Sequence, residues 1–284
     1  VVTGNDVHKS VLQNLARGLM KSIATRGRDA AGYAYVDAST EMVRIAKAPV
    51  TADEFLSIPG HLLSTRPPSG MPHMMLIHTR FMTVGDPANN VNNHPLYAKA
   101  TGLCLIHNGW FLNDAEIAKE FKLKLDGDVD TEVYLRLIER FYQANSNDVV
   151  FGISAATKQM YGRIACALVK AKSPDEVWLW RDTGPLALVK VDFGYVFAST
   201  RTALYKAIYG ACVARDVTFV QDVPIEASSL VSITSSGALV VHKLEPPTGY
   251  QYMTTYEGGK RKRKLVPAKS ALAAELNLHS SFGY

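Results

Sequence analysis

The sequence predicts an α+β protein in which antiparallel β-sheets are layered against helices. Short apolar segments of strand length, separated by turns, dominate residues 162–241. Helical periodicity falls into separated groups of residues and does not alternate regularly with the strands. Regular alternation would predict a parallel, doubly wound sheet, so its absence favours antiparallel sheets with helices segregated onto their faces.

The composition is typical of a globular protein. The 284 residues, 47% of them hydrophobic, can bury the core of one large domain or two small ones. No apolar run approaches the ~18 residues that cross a bilayer, and no leader-like segment opens the chain, so no membrane or secreted destination is indicated. Cys104, Cys166 and Cys212 lack the spacing of a zinc site or a disulfide framework. We expect a reducing, cytoplasmic location and no metal or other cofactor.

Positive charge is concentrated near the C-terminal end. The net charge is +5, and residues 246–284 contain six Lys or Arg residues against two acids. Because Pro246-Pro247 marks a boundary, we expect one domain over residues 1–245 and a basic extension over residues 246–284, extended or partly helical. Any affinity for nucleic acid belongs to the basic run from Lys260 to Lys264, although such runs are also typical of solvated surfaces.

The first third of the chain predicts a helix followed by a hairpin. The chain begins Val1-Val2-Thr3-Gly4, a strand-like start without an initiating methionine. Apolar residues at helical spacing predict a helix over residues 8–25. The charged turn Arg26-Gly27-Arg28-Asp29 precedes strands over residues 33–36 and 42–46, which together form a predicted hairpin.

An arginine follows a wholly apolar strand. Met74-Met75-Leu76-Ile77 predicts a buried strand that ends on His78-Thr79-Arg80. A cation at the mouth of a buried strand must be paired once water is excluded, so Arg80 indicates an anion-binding position. The alternative is a surface arginine just past the strand. Residues 81–94 form a long polar loop without obvious regular structure, and such loops are commonly functional.

A second apolar strand, Cys104-Leu105-Ile106, stops abruptly on His107-Asn108-Gly109. The side-chain amide of Asn108 and the N–H of Gly109 are two neutral donors, and two such donors aimed at one point suit a developing oxyanion. Asn-Gly is also the strongest short indication of a hairpin turn, and the tripeptide alone leaves both interpretations open.

Two helices and a series of strands complete the predicted body. Asn113 is placed to cap one helix, Asp126-Gly127-Asp128 predicts a turn, and Asp130 occupies the N-cap position of a second helix. Most aspartates in that position only cap their helix. The remaining predicted elements are a helix over residues 202–209 and strands over residues 164–169, 177–180, 186–191, 195–197, 230–233 and 238–241.

Several motifs recur in a fixed order along the chain, and together they resemble the glutamine-hydrolysing domain of class II amidotransferases, which are N-terminal-nucleophile (Ntn) hydrolases. The resemblance covers residues 1–244. The motifs are Arg26-Gly27-Arg28-Asp29-Ala30-Ala31-Gly32, His78-Thr79-Arg80-Phe81-Met82-Thr83-Val84-Gly85-Asp86-Pro87, Asn93-His94-Pro95, His107-Asn108-Gly109, Asp130-Thr131-Glu132-Val133, Arg181 with Gly184-Pro185-Leu186, and Phe197-Ala198-Ser199.

The resemblance implies a four-layer αββα sandwich of two stacked antiparallel sheets, and a reaction. A cysteine at the N-terminus attacks the side-chain amide of glutamine and releases ammonia, with its own α-amino group as base. Asn108 and Gly109 would hold the tetrahedral oxyanion. Arg80 would bind the α-carboxylate of glutamine, and Asp130 would bind its α-ammonium.

Three further residues take supporting roles by the same resemblance. Thr83 and Phe81 would line the substrate pocket, and Arg26 would support the loop beside the nucleophile. Phe81 stands where the family usually has tryptophan, Val84 replaces its histidine, and Ala30 replaces its serine. We expect these departures to alter affinity or substrate range without removing the oxyanion donors.

The nucleophile is the main departure from the family. The family opens Cys-Gly-apolar-x-Gly, and a cysteine immediately before Val1 would give Cys-Val-Val-Thr-Gly. We therefore expect the nucleophile to precede Val1; the alternative is a true Val1 and an inert domain.

Three hypotheses follow. The first is a free-standing glutamine amidotransferase subunit that takes glutamine as substrate and supplies ammonia to a separate synthase subunit. The second is an Ntn amidase for another amide, which the pairing of Arg80 with Asp130 disfavours. The third is a catalytically inactive module with a binding or assembly role. A homo-oligomer is compatible with each.

Overall fold

The computed structural model describes residues 2–3, 9–37, 39–64, 72, 74–213, 217–245, 250–257 and 260–267. The described helices are α1 (Lys9–Ile23), α2 (Ala52–Ser57), α3 (Asp114–Glu120), α4 (Asp130–Ala144), α5 (Val149–Gln159) and α6 (Arg201–Val213). Short 3-10 turns lie at Ala24–Arg26 and Asn90–Asn92.

The larger sheet has six antiparallel strands. In spatial order they are β15 (Leu239–Lys243), β14 (Ser229–Thr234), β10 (Ser173–Arg181), β9 (Ala165–Lys170), β6 (Leu103–His107) and β5 (Leu96–Ala98). Every residue of β6 is buried. Leu103 and Leu105 pack into one core and Cys104 and Ile106 into another, as the alternation of a strand requires. Because both faces of β6 pack against a core, the strand is held in place, and so is His107 at its end.

Two smaller antiparallel sheets form the facing layer. One contains β3 (Val43–Ala48), β2 (Ala30–Val36) and β4 (Met75–Arg80); the other contains β1 (Val2–Thr3), β12 (Gly194–Ala198), β11 (Ala187–Val191) and β13 (Phe219–Val223). A shared core that includes Leu76, Leu188 and Ile106 packs both of them against the six-stranded sheet. Two further short strands, β7 (Trp110–Phe111) and β8 (Gly162–Arg163), pair with each other.

Helices cover both outer faces. On the six-stranded sheet, Leu135 and Ile138 of α4 and Ile153 of α5 are completely buried. On the other side, α1 and α6 pack on β11 and β12, and α1 and α2 pack on β2. Each fully buried aliphatic side chain contributes about 1.5–3 kcal/mol from removal of apolar surface from water. The layers therefore run helix, sheet, sheet, helix, which confirms the αββα sandwich.

Most predicted helices and strands are confirmed with boundaries shifted by a few residues. Asn113 occupies the predicted N-cap position of α3 but its side chain makes no capping hydrogen bond, and the predicted Asp130 cap is wrong. The side chain of Asn113 donates to the Gln159 carbonyl (2.8 Å) and accepts from the Tyr161 N–H (3.0 Å), so it ties the start of α3 to the end of α5. Helix α4 begins at Asp130 itself, and its N-cap is Val129. The carboxylate of Asp130 is therefore available for another role.

The described part of the basic extension is a separate β-hairpin. Strands β16 (Tyr250–Glu257) and β17 (Lys260–Pro267) form a two-stranded antiparallel sheet that joins no other sheet. The predicted extended conformation is confirmed for these residues, which contain no helix. Among the described helices, none combines the length and the apolar character needed to cross a membrane.

Candidate active site

One cavity of about 310 Å³ opens where β4, β6 and β12 end and α4 begins. Residues predicted from distant parts of the sequence meet on its wall. All seven of the predicted site residues line it: Arg26, Arg80, Phe81, Thr83, Asn108, Gly109 and Asp130. The fold therefore brings together side chains that are up to 104 positions apart in the sequence, from Arg26 to Asp130.

Asn108 is oriented by two hydrogen bonds. Its backbone N–H donates to the Ala165 carbonyl (2.8 Å), which extends the pairing of β6 with β9 by one residue. The guanidinium of Arg26 donates to the Oδ1 atom of Asn108 (3.4 Å). Because a guanidinium can only donate, this contact assigns the oxygen of the amide to Arg26 and leaves its NH2 group as the donor toward the cavity.

Gly109 permits a close approach of two backbone segments. A Cβ atom at this position would lie 1.6 Å from the carbonyl oxygen of Arg163 and 2.5 Å from Nε2 of His107. No side chain fits in that space, so only glycine allows β6 to turn here against β8. The hairpin-turn interpretation of Asn-Gly is thus incomplete, since the steric constraint also comes from a strand 54 positions further along the chain.

The side chain of His107 links this turn to the neighbouring strand and helix. Its Nε2 lies 3.0 Å from the Arg163 carbonyl and its Nδ1 lies 2.9 Å from the Thr131 hydroxyl. A carbonyl can only accept, so Nε2 carries the proton and Nδ1 accepts from Thr131. Burial lowers the pKa of His107, although the negative charge of Asp130 opposes that shift. The ring is therefore a neutral bridge between β6, β8 and α4.

Arg80 is the buried cation of the site. It is the last residue of β4, not a residue beyond the strand, and is 4% exposed. Its guanidinium donates to the carbonyls of Val84 (2.5 Å) and Gly85 (2.8 Å) and to Oδ1 of Asn93 (2.9 Å). These partners are neutral, and no carboxylate of the described residues lies within ion-pair distance of Arg80. A buried charge held only by neutral acceptors is suited to an anionic ligand.

Asp130 supplies the opposite charge. Its Oδ2 accepts from the Phe111 N–H (2.8 Å), and its Oδ1 accepts from the N–H of Thr131 (2.7 Å). Burial lowers the pKa of Arg80, and the negative charges of Asp29, Asp130 and Asp86 oppose that shift, Asp130 being the one of the three that is itself buried. The cavity wall thus carries a buried cation, Arg80, and a buried anion, Asp130.

The segment from Phe81 to Val84 forms an exposed apolar rim. Phe81 is 69% exposed and Val84 is 50% exposed, and both line the cavity together with Thr83. The carboxylate of Asp29 accepts from the Met82 N–H (2.6 Å) and thereby holds the middle of the segment.

The remainder of the long loop is pinned by buried amides. Asn92 is fully buried; its Nδ2 donates to the Asp86 carbonyl (3.1 Å) and its Oδ1 accepts from the Asp128 N–H (2.9 Å). The ammonium of Lys47 donates to the carbonyls of Asn93 (2.6 Å) and Pro95 (3.1 Å). Residues 85–95 are therefore a rigid support for Arg80.

Comparisons with known proteins show which family the chain resembles. Residues 78–206 match the family model for a glutamine amidotransferase domain. The isomerizing glutamine–fructose-6-phosphate aminotransferase of Bacteroides thetaiotaomicron is 29% identical over 194 residues, 67% of this chain and 30% of the relative. The same enzyme of Aeropyrum pernix is 31% identical over 216 residues, 75% of this chain and 32% of the relative.

The chain contains a glutamine amidotransferase domain.

Solved structures support the fold of this amidotransferase domain. Glutamine phosphoribosylpyrophosphate amidotransferase from B. subtilis, complexed with ADP and GMP, superposes with a TM-score of 0.62 at 20% identity, over 85% of this chain and 48% of that chain. A second structure, of the allosteric regulatory enzyme of purine biosynthesis, gives a TM-score of 0.63 at 20% identity. The chain spans about a third of the length of the curated relatives that it matches and about half of the solved chains.

Sequence reasoning did not predict that two histidine rings meet in the wall of the cavity. The rings of His78 and His94 lie 4.4 Å apart, and both line the cavity. Burial lowers the pKa of His78 to about 4 and lowers that of His94 well below its usual value. The Asn93-His94-Pro95 motif marked the position, but no periodicity in the sequence indicates that His78 and His94 meet.

This pair predicts a stability that falls on acidification. Between about pH 6.5 and pH 4 the unfolded chain binds protons that the folded chain excludes, so the free energy of unfolding rises with pH across that window. From pH 7 to pH 5 we expect a loss of about 2 kcal/mol from His78 alone. Urea unfolding at both pH values measures the loss, and the His94→Phe variant, which has one titrating ring fewer, should lose less. An equal loss in both proteins would contradict the assignment.

The two described thiols are buried and unreactive. Burial raises the pKa of Cys104 to about 12. Burial, and secondarily the charge of Asp130, raises the pKa of Cys166 well above its usual value, although Cys166 lines the cavity. Since the thiolate is the nucleophilic form, neither thiol is suited to attack. Among the described residues, no three His, Cys, Asp or Glu side chains are grouped to hold a metal ion.

Proposed function

We propose that this domain hydrolyses the side-chain amide of glutamine to glutamate and ammonia. The observation that carries the proposal is that two neutral donors, a buried arginine and a buried aspartate share one cavity. The α-carboxylate of glutamine pairs with Arg80 and its α-ammonium with Asp130, which selects a free α-amino acid. The NH2 group of Asn108 and the N–H of Gly109 then stabilise the oxyanion formed at the side-chain carbonyl.

The nucleophile in this proposal is a cysteine that immediately precedes Val1. Its thiol passes a proton to its own α-amino group, and the sulfur adds to the amide carbon. The tetrahedral adduct collapses as that proton moves to the leaving nitrogen, so ammonia departs and a thioester remains; water then releases glutamate. The pairing of Val2 with Tyr195 supports this position, because a continued register would set the residue before Val1 opposite Phe197, which lines the cavity.

The relatives suggest what accepts the ammonia. We propose that a separate synthase domain or subunit receives the ammonia, and that residues 1–245 form the glutamine-hydrolysing unit in a cytoplasmic protein. The relatives, of which this chain covers about a third, are named for transfer to fructose 6-phosphate, and we assign no acceptor of that kind to this chain.

The decisive experiment uses the chain beginning Cys-Val-Val-Thr-Gly. It should release ammonia from glutamine, and a glutamine-like electrophile should add once to its first residue, as read by intact mass. The matched control begins Ser-Val-Val-Thr-Gly and should do neither. No ammonia release from the properly folded cysteine chain would refute the proposal and favour a catalytically inactive binding or assembly module.

Arg26 is expected to act on kcat through Asn108. The Arg26→Leu variant should lose the contact that orients the amide, and we expect a fall in kcat of about tenfold with little change in KM, because one net hydrogen bond to a charged group is lost. Steady-state ammonia release measures both constants. The control is Arg28→Leu, which removes an exposed arginine two residues away that does not line the cavity. Equal effects of the two variants would remove Arg26 from this role.

A further inference from the structure

We propose that the hydroxyl group of Thr131 couples binding of the substrate α-ammonium at Asp130 to the geometry of the Asn108–Gly109 turn. The inference rests on the proposed function. Thr131 lies in the first turn of α4, is 2% exposed and lines the cavity. It is a positioning residue, because it acts through its neighbours Asp130 and His107 and not on the reacting amide.

The Thr131 hydroxyl has one proton and two acceptors within reach. Its Oγ1 lies 2.9 Å from Nδ1 of His107 and 3.2 Å from Oδ1 of Asp130. The Nε2–H of His107 is directed at the Arg163 carbonyl, so Nδ1 of the neutral ring can only accept. A carboxylate can also only accept. Since a hydroxyl donates one proton, His107 and Asp130 compete for the same hydrogen bond.

The charge of Asp130 makes this competition sensitive to substrate. A charged acceptor forms a hydrogen bond about twice as strong as a neutral one, so the carboxylate weakens the bond from Thr131 to His107. Oδ2 of Asp130 accepts one N–H, from Phe111, and a carboxylate oxygen can accept two, which leaves a place for the α-ammonium. An ammonium bound there neutralises the carboxylate, and the hydroxyl proton is then committed to His107.

Helix α4 contacts both ends of the segment that carries the oxyanion donors. At the start of the segment, Thr131 reaches the His107 ring; at its end, Asp130 accepts from the Phe111 N–H (2.8 Å). The rings of His107 and Phe111 stack with their centroids 4.8 Å apart. A Cβ at Gly109 would lie 2.5 Å from Nε2 of His107, so the ring and the turn are in close contact. A firmly held His107 therefore fixes the Gly109 N–H.

This coupling makes the α-ammonium count in the chemical step as well as in binding. An amide without an α-amino group leaves the Asp130 carboxylate charged and its competition for the Thr131 proton in place. The oxyanion donors are then held less firmly, and a donor that is out of position lowers kcat. Discrimination against such an amide should therefore appear in kcat in addition to KM.

The test compares glutamine with glutaramate, which has the same amide and carboxylate but no α-amino group. In the full chain beginning Cys-Val-Val-Thr-Gly, kcat for glutamine should exceed kcat for glutaramate by about tenfold, as one hydrogen bond to a buried group requires. The Thr131→Val variant removes the hydroxyl and should lower kcat for glutamine by about tenfold. Its ratio of the two kcat values should fall to within about threefold of one. Steady-state ammonia release measures both substrates.

Three further variants make the comparison specific to the hydroxyl. Thr131→Ser keeps the hydroxyl and should keep the wild-type ratio of kcat values within about threefold. Thr131→Ala removes the hydroxyl without adding a methyl group near His107, and should behave like Thr131→Val if that variant does not fold. Thr157→Val is the matched control, since Thr157 has a buried hydroxyl that donates to the Ile153 carbonyl (2.7 Å) and does not line the cavity. Its ratio should equal that of the wild type.

The outcomes separate this inference from the proposed function. Turnover of glutamine with the same kcat ratio in Thr131→Val as in the wild type would overturn the inference and leave the proposed function intact. A Thr131→Ser variant that behaves like Thr131→Val would also overturn it, because the hydroxyl would then not be the cause. No ammonia release by the wild-type chain would overturn both. Thermal unfolding of each variant verifies that the domain is folded.

Discussion

Replacing Gly109 by alanine is expected to lower kcat/KM for glutamine by about a thousandfold or more. The added Cβ would meet the Arg163 carbonyl at 1.6 Å and Nε2 of His107 at 2.5 Å, so the turn must open. Opening moves the Gly109 N–H and the adjacent Asn108 amide away from the oxyanion, and loss of one such donor already costs about 3–4 kcal/mol in the barrier. Single-turnover ammonia release by the cysteine-led chain measures the effect.

The matched control for this variant is Gly210→Ala. Gly210 lies in α6 with nothing within 4 Å of an added Cβ, so activity should be unchanged there. Asn108→Ala provides a second variant that removes one donor without the steric conflict. If Gly109→Ala retained wild-type turnover, the Asn108–Gly109 turn would not be the oxyanion site.

Replacing Arg80 by lysine is expected to raise KM for glutamine by about a hundredfold, because a buried, hydrogen-bonded charge pair loses one matched partner. Arg80 already spends donors on Val84, Gly85 and Asn93, and only a guanidinium can keep those contacts while presenting further N–H groups to a carboxylate. Lysine has three donors and no planar fork. The measurement is the glutamine dependence of ammonia release.

A carboxylate-specific role for Arg80 can be separated from a structural one. An amide substrate that lacks the α-carboxylate should be poor for the wild-type domain and no poorer for Arg80→Lys. Arg44→Lys is the control, since Arg44 is an exposed arginine with a surface ion pair to Asp37. An unchanged KM for glutamine in Arg80→Lys would exclude Arg80 from the carboxylate position.

Three of the candidate site residues, Arg80, Asn108 and Asp130, could be found from the sequence because each lies at the end of an apolar strand or the start of a helix. Arg80 and Asn108 follow runs whose burial is evident from composition, and buried polar residues at such ends require partners. Their supports could not be found, because the contact between Arg26 and Asn108 and the approach of Arg163 to Gly109 join segments far apart in sequence. Periodicity and short motifs describe only neighbouring residues, so they do not predict contacts between distant segments.

The fold shows the same division. Strands such as β6 and helices such as α1 are amphipathic or wholly apolar, and their periodicity predicts them. Strand β13 was missed because four of its five residues are exposed at a sheet edge, where no alternation is needed. Asp130 was misassigned as a cap because an aspartate before a helix has the same local sequence whether it caps or reaches across to Phe111.

Because Cys104 and Cys166 are buried, their rates of alkylation report how often the packed domain opens. In the native state a maleimide should modify a cysteine placed before Val1 far faster than either buried thiol, whose pKa values are raised. Modification of Cys104, which lies in the core between the two layers of sheet, then requires the sheets to separate, so its rate at low denaturant measures how often the packed core opens. Timed alkylation followed by peptide mapping would therefore read the integrity of the αββα core and the reactivity of the N-terminus in a single sample.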